Sequence, residues 1–288
     1  MRDYVIFTDS SCDIMPDLLA EWEVPFVSLT VKFDEDAESF NNYDMPLDRF
    51  YDRMRKGDVA RTAAANMESF KNAFEPYLKA GKDLLYIGFS SGLSTTVNSG
   101  AMAAKELMEA YPERKIITVD TFAASAGFGL LVYLTVQEKR KGATLEQAAK
   151  SVEDTRSHLC HWFTVDDLVY LKRGGRVSAA KAFVGGVLNI KPVLHMDDPG
   201  HLINMFKVRG RRASIKALAD KYGELAVDPG NDTIFISHGD CIDDARLLET
   251  MLRERFGATV KLITYVGPVI GSHSGPGTLA LFFVGRER

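Results

Sequence analysis

Leu84-Leu85-Tyr86-Ile87-Gly88-Phe89-Ser90-Ser91-Gly92-Leu93-Ser94-Thr95-Thr96 joins an uncharged apolar run to a loop of small hydroxyl residues. The loop opens a long helical pattern that reaches Tyr111 before Pro112. A short apolar run without alternation reads as a strand buried on both faces, the kind found in parallel sheets. Working outward, residues 115–119 read as a second strand, and residues 123–141 as a helix closed by Gly142. Upstream, residues 4–8 read as a strand and residues 14–23 as a helix with Pro16 in its first turn. Residues 24–33 are rich in β-formers. Residues 46–56 look helical after an Asp44 cap and stop at Gly57, and residues 67–79 form a further helix ending at Gly81. Strand and helix alternating in this way predict a parallel sheet with helices on both faces, a three-layer α/β/α unit. Such sheets bind ligands beyond the carboxyl ends of their strands.

The second half has a different grammar. Residues 145–158 read as a helix that bridges the halves. Asp197-Asp198-Pro199-Gly200, between apolar runs at 192–196 and 202–206, is a strong hairpin signal. Helices at 213–225 and 243–256 and strands at 233–237, 260–266 and 279–284 follow. A hairpin combined with crossovers predicts a mixed sheet, so the expectation is two α/β units, residues 1–158 and residues 159–288.

Composition sets bounds on function. The chain has 288 residues, 46% of them hydrophobic and 26% charged, enough for a sizeable core. A net charge of −4 argues against nucleic acid as the main partner. Met1-Arg2-Asp3 runs directly into a strand-like segment without a signal pattern, and the longest uncharged run, residues 121–136, is too short for a membrane span. Cys12, Cys160 and Cys241 are odd in number and widely spaced, as expected of reduced thiols in a cytoplasmic protein.

Chemistry is expected in the loops. Gly267-Pro268-Val269-Ile270-Gly271-Ser272-His273-Ser274-Gly275-Pro276-Gly277-Thr278 places one histidine and several small donors in a Gly/Pro-rich connection that can face an anion. Ser10 and Ser11 follow the first strand, Ser90 to Thr96 the strand at 84–89, and Thr121 with Ser125 the next. Helix capping explains any one of them, and their recurrence at successive strand ends points to a shared crevice. Gly88-Phe89-Ser90-Ser91-Gly92 also matches G-x-S-x-G, which offers an alternative: a serine hydrolase with Ser90 as nucleophile, His273 as base and Asp240 as acid. No oxyanion-hole segment precedes it, and no phosphate-loop or dinucleotide fingerprint is present. His158 and His161 lack ligands at metal spacing and read as exposed histidines at a capped helix end, so no metal is expected. Lys172-Arg173-Gly174-Gly175-Arg176 reads equally as a plain surface turn or as a phosphate-seeking or partner-docking loop. The apolar run 179–190 reads as core or as one wall of a greasy tunnel.

Together these residues resemble the DegV family, fatty-acid-binding proteins that include the FakB subunits of bacterial fatty acid kinase. The resemblance covers essentially the whole chain. It rests on Thr8-Asp9-Ser10-Ser11-Cys12-Asp13, Ser90-Ser91-Gly92-Leu93-Ser94, Leu171-Lys172-Arg173-Gly174-Gly175-Arg176-Val177-Ser178, Leu188-Asn189-Ile190-Lys191-Pro192-Val193-Leu194 and the terminal glycine loop. It implies a three-layer α/β/α first unit, a two-layer α/β second unit and one long-chain fatty acid in a tunnel between them, with the carboxylate held by Thr62, Ser94 and His273. Arg173 and Arg176 would lie near the portal or a kinase interface, and Ser10, Ser91, Gly92, Ser125, Gly271 and Ser272 are candidate secondary contacts. It implies no cofactor and no catalysis by the chain alone. A separate ATP-binding kinase subunit would make the acyl phosphate, with transient contact with a membrane surface. Two departures stand out. Thr62 is followed by Ala63-Ala64-Ala65 where the family has Ser-Gln-Pro, and Thr95 replaces a glycine after Ser94. Burial of a long acyl chain at roughly 0.8 kcal/mol per CH₂ supplies on the order of 10 kcal/mol gross, so the headgroup needs only enough hydrogen bonds to offset carboxylate desolvation.

Overall fold

The first half is built outward from strands whose alternate residues serve two different cores. In the computed structural model, which describes residues 3–177 and 189–288, the chain opens with β1 (Tyr4–Asp9), α1 (Pro16–Glu21), β2 (Phe26–Val27), β3 (Thr30–Phe33), β4 (Phe40–Asn41), α2 (Leu47–Arg55) and β5 (Ala60–Ala63). It continues with α3 (Met67–Lys79), β6 (Asp83–Gly88), α4 (Thr96–Ala110), β7 (Ile116–Asp120), α5 (Ala126–Arg140) and α6 (Leu145–Arg156). The order β2-β1-β6-β7 is parallel throughout, so Asp9, Val27, Gly88 and Asp120 end on one edge. All of β6 is buried. Its Leu84 and Tyr86 join a core with Phe7, Phe70 and Phe74, while Leu85 and Ile87 join another with Ile6 and Phe128. A period of two with both faces apolar is what a covered parallel strand requires.

The second half runs β8 (Leu159–Thr164), α7 (Val169–Gly174), β9 (Ile190–Met196), β10 (Leu202–Arg209), α8 (Arg211–Leu225), β11 (Ile234–His238), α9 (Ile242–Phe256), β12 (Val260–Tyr265), α10 (Pro268–Ser274) and β13 (Leu279–Val284). Its sheet has the order β10-β9-β8-β13-β11-β12, with β11 and β12 parallel and every other pair antiparallel. The mixed sheet and the hairpin are as the sequence predicts, with Gly200 at φ 83 donating its amide to the Asp197 carbonyl. Ile215, Leu218 and Leu252 from α8 and α9 cover the face that carries Trp162 and Leu281.

The opposite face rests on α5. This helix buries nearly its whole circumference, as a helix apolar all round must. It packs on β1 and β6 on one side and on β8, β11 and β13 on the other. One continuous core therefore runs from Ile6 and Leu85 through Phe128 and Leu131 to Phe235 and Phe282.

Several expectations are corrected. Residues 159–164 form β8, the strand joining the hairpin to β13, and the sequence reading ran past it. Cys160 and His161 interrupt its apolar pattern. His161 is consequently buried in the sheet rather than exposed at a helix end, while His158 beside it is exposed. Residues 268–274 of the glycine-rich connection form the short helix α10, with Pro268 at its start, where a missing N–H loses nothing. Pro46, not Asp44, precedes α2, and the Asp44 carboxylate accepts the Asn41 amide. A small antiparallel sheet, β4-β3-β5, was not foreseen and carries Thr62 on β5 rather than in a loop. Most of the apolar run 179–190, with Ser178 and Leu188 of two quoted motifs, lies outside the described residues. Among the described residues, no helix is long and apolar enough to cross a membrane.

Candidate functional site

A cavity of about 470 Å³ lies at the carboxyl edge of the parallel sheet, where the mixed sheet, α7 and α10 close over it. That volume is within the range of small-molecule sites. Most of its wall is apolar: Leu29, Phe89, Phe163, Val269, Ile270 and Phe282 contribute from both halves of the chain.

The outer end is polar. Thr62 Oγ1 on β5 lies 2.8 Å from His273 Nε2 on α10, residues 211 positions apart in sequence. Both line the cavity, with Ser91, Ser94, Thr95 and Arg176. Burial lowers the His273 pKa to about 4, helped by the positive charge of Arg176, so the ring is neutral at pH 7. With its proton on Nε2, the ring donates to Thr62 Oγ1 and leaves the threonine hydroxyl proton for a ligand. Ser94 Oγ shares a 2.9 Å hydrogen bond with Thr96 Oγ1, and when Thr96 donates, the Ser94 proton is likewise free. Neutral donors next to one exposed guanidinium suit a carboxylate or similar anion.

Arg176 holds the rim together. Its Nε donates to the Leu93 carbonyl at 3.3 Å and its Nη1 to the Gly174 carbonyl, which clasps the loop after β6 to the end of α7. The two glycines of this turn do different work. Gly175 sits at φ 68 as the left-handed residue that ends α7. Gly174 is helical, and a Cβ there would stand 2.2 Å from His273 Nδ1. Only a glycine lets the turn approach the imidazole so closely.

The inner end is polar too. Ser125 and Ser237 line it with His161, and all three are buried. Ser125 Oγ lies 2.5 Å from Asp13 Oδ2 and 3.0 Å from Ser237 Oγ. Complete burial raises the Asp13 pKa to about 8, against the opposing effect of the Ser125 hydrogen bond. Burial also drives the His161 pKa well below the usual histidine range.

The structure thus brings Thr62, Ser91, Ser94, Ser125, Arg176 and His273 to one cavity, Ser125 at its inner end and the others at its outer end. Five other candidates stand away from it. Ser10 is wholly buried, its hydroxyl accepting the Leu29 amide. Gly92 packs against the Gly200 carbonyl, Gly271 against the Tyr51 hydroxyl, and the Ser272 hydroxyl donates to the Pro268 carbonyl at 2.6 Å. Arg173 points along the surface, its guanidinium 5.8 Å from the Tyr170 ring centre. Nothing in the sequence signals that His161 and Ser237 line the cavity, or that Asp13 stands behind Ser125. Asp13 belonged to a quoted motif, but a lone serine inside a buried strand such as β11 gives no signal.

The hydrolase arrangement is not formed. The Ser90 hydroxyl is buried and donates to the Gly200 carbonyl at 2.8 Å, Asp240 pairs with Arg55, and His273 bonds Thr62. Cys12 is no better as a nucleophile, because complete burial pushes its thiol pKa up. Among the described residues, no group of three His, Cys, Asp or Glu side chains gathers to hold a metal ion.

A parallel and a mixed sheet sharing one helix, with an apolar, polar-ended cavity at the strand ends, define an α/β protein with a cavity of small-molecule size. Residues 3–286 match the family described as "Uncharacterised protein, DegV family". The chain belongs to the DegV family. It is 43% identical over 290 residues to a DegV domain-containing protein of Clostridium perfringens, covering 100% of this chain and 99% of that one. Among solved structures it resembles a DegV lipid binding protein from Thermotoga maritima, with TM-score 0.87, 30% identity and 99% of each chain covered. It also resembles a DegV family protein from Thermus thermophilus described for its fatty acid binding, with TM-score 0.88, 28% identity, and 99% of this chain and 100% of that one covered.

Proposed function

We propose that this chain binds one long-chain fatty acid in the cavity and presents its carboxylate to a separate ATP-dependent kinase subunit, which forms the acyl phosphate. The observation that carries the reading is the Thr62–His273 hydrogen bond at the outer end of an otherwise apolar cavity. Thr62, Ser94 and His273 hold the carboxylate. The fatty acid and lipid binding described for the Thermus and Thermotoga relatives supports the ligand class.

Presentation follows from the chemistry of the rim. Neutral hydroxyls and a neutral imidazole offset the desolvation of a carboxylate without a bidentate guanidinium clamp, so its oxygens stay available to an incoming phosphoryl group. The exposed Arg173 and Arg176 stand on the same turn and form the portal or the docking surface for the kinase subunit. The chain is a carrier without catalysis of its own. Residues 1–158 and 159–288 act as the two walls, and the three free cysteines suit a reducing cytoplasm.

The test is mass spectrometry of the intact purified protein and of its organic extract. One fatty acid per chain is expected. Thr62→Ala combined with Ser94→Ala weakens fatty acid affinity by roughly tenfold or more, as two headgroup hydrogen bonds are lost. Unchanged affinity in a lipid titration refutes the assignment of the headgroup site. Adding the kinase subunit and ATP, and trapping acyl phosphate with hydroxylamine, tests presentation.

A further inference from the structure

Polar side chains line the inner end of the cavity. Ser237 Oγ lies at the end of a buried chain, Asp13–Ser125–Ser237, and has no partner beyond Ser125 among the described residues. His161 lines the same end. Its Nε2 faces the Ala124 backbone, and its Nδ1 has no hydrogen-bond partner. Two positive-φ residues hold this arrangement. Ser125 sits at φ 54, ψ −152, a conformation that side-chain-bearing residues adopt only when the surroundings impose it, and Asp13 at φ 53 in the left-handed region that aspartate visits more readily than most. Asp13 stays protonated at neutral pH, so the chain brings no net negative charge.

We propose that Ser237 and His161 form a second polar subsite, and that the ligand is an acyl chain carrying a hydroxyl group on its distal part. This rests on the fatty acid reading of the same cavity. A hydroxyl both donates and accepts, so it satisfies either tautomer of His161 and either direction of the Asp13–Ser125–Ser237 chain. A plain hydrocarbon tail leaves His161 Nδ1 buried without a partner, which native proteins rarely tolerate, and leaves the Ser237 hydroxyl with Ser125 alone. A second carboxylate does not fit, because the residues lining this end carry no cation.

The experiment compares dissociation constants of stearic acid with those of its α-hydroxy, mid-chain hydroxy and ω-hydroxy derivatives, for the wild type and for Ser237→Ala. In the wild type, a mid-chain or ω-hydroxy acid is expected to bind at least as tightly as stearate. In Ser237→Ala its affinity relative to stearate falls about tenfold, while the α-hydroxy acid keeps its ratio. If every distal hydroxyl weakens wild-type binding about tenfold or more, the inner end is simply hydrated or apolar in use and the subsite is overturned. An unchanged ratio in Ser237→Ala overturns it as well. Failure of stearate alone, with a hydroxy acid bound, supports the subsite; failure of all four acids overturns the fatty acid reading and the subsite together.

Discussion

Gly174→Ala separates the site from the scaffold more cleanly than any change to a polar residue. Gly174 is helical, so alanine fits its backbone and improves helix propensity by about 1 kcal/mol. The added Cβ, however, stands 2.2 Å from His273 Nδ1, where ordinary contact is more than an ångström longer. Retreat along the long axis of the ring drives Nε2 into the Thr62 oxygen, already 2.8 Å away, and retreat sideways breaks that bond. One headgroup hydrogen bond is worth about 0.5–1.5 kcal/mol net, so fatty acid affinity should fall roughly three- to tenfold. Crowding and helix gain oppose each other, and stability should change by less than about 2 kcal/mol. The neighbouring Gly175→Ala is the control. Its Cβ meets nothing within 4 Å, but φ 68 makes alanine cost about 1 kcal/mol of stability while His273 stays in place. Isothermal titration with a fatty acid and thermal unfolding, run on both variants, should therefore show opposite patterns. Wild-type affinity in Gly174→Ala would falsify the placement of His273 in the headgroup site.

Further expectations concern charge. The folded-state pKa of Asp13 is raised to about 8 from 3.8, so folding retains a proton that the unfolded chain releases. Its contribution is present below pH 3.8 and is lost as pH rises towards 8, and Asp13→Asn removes that loss. The stability of Asp13→Asn relative to wild type should rise between pH 4 and 8, by up to about 1.4 kcal/mol per pH unit in calorimetry; a pH-independent difference rules this out. The histidines act oppositely. His273 and His195 fall to about 4 from 6.5, so the stability they contribute is full above pH 6.5 and is lost as pH falls to 4. Arg176→Gln should slow association of an anionic ligand about threefold at low salt and leave the rate unchanged at high salt, as expected for an exposed charge at the rim. Equal slowing at both ionic strengths would show that the clasp, not the charge, is what matters.

The parallel sheet was legible because β6 is a six-residue buried run that leads into a long helix, and the hairpin because Asp-Asp-Pro-Gly has few other uses. Strand β8 was not, since Cys160 and His161 disguise a buried strand as a helix end. Glycine and proline punctuate Gly267 to Thr278 as they do a loop, yet seven of its residues close into α10. His273 was still found, as the one histidine of that segment. Thr62 came only through resemblance to the family: Ala60-Arg61-Thr62-Ala63 shows no polar pattern, and its meaning depends on a residue 211 positions away. Ser237 was invisible for the same reason, its partners lying on elements far apart in sequence.

The helix α5 has a consequence for how a ligand gets in. Phe128, Leu130, Leu131 and Val132 are buried with almost no exposure, in a helix wedged between the two sheets. Hinging the halves apart would bare several such side chains at about 1.5–3 kcal/mol each, a barrier that grows with every residue unzipped. A clamshell is therefore the wrong image for this protein. On the fatty acid reading, a guest threads end-on past Arg176 and the two glycines, tail first, and its residence time is set by how much chain must be drawn back through one narrow rim.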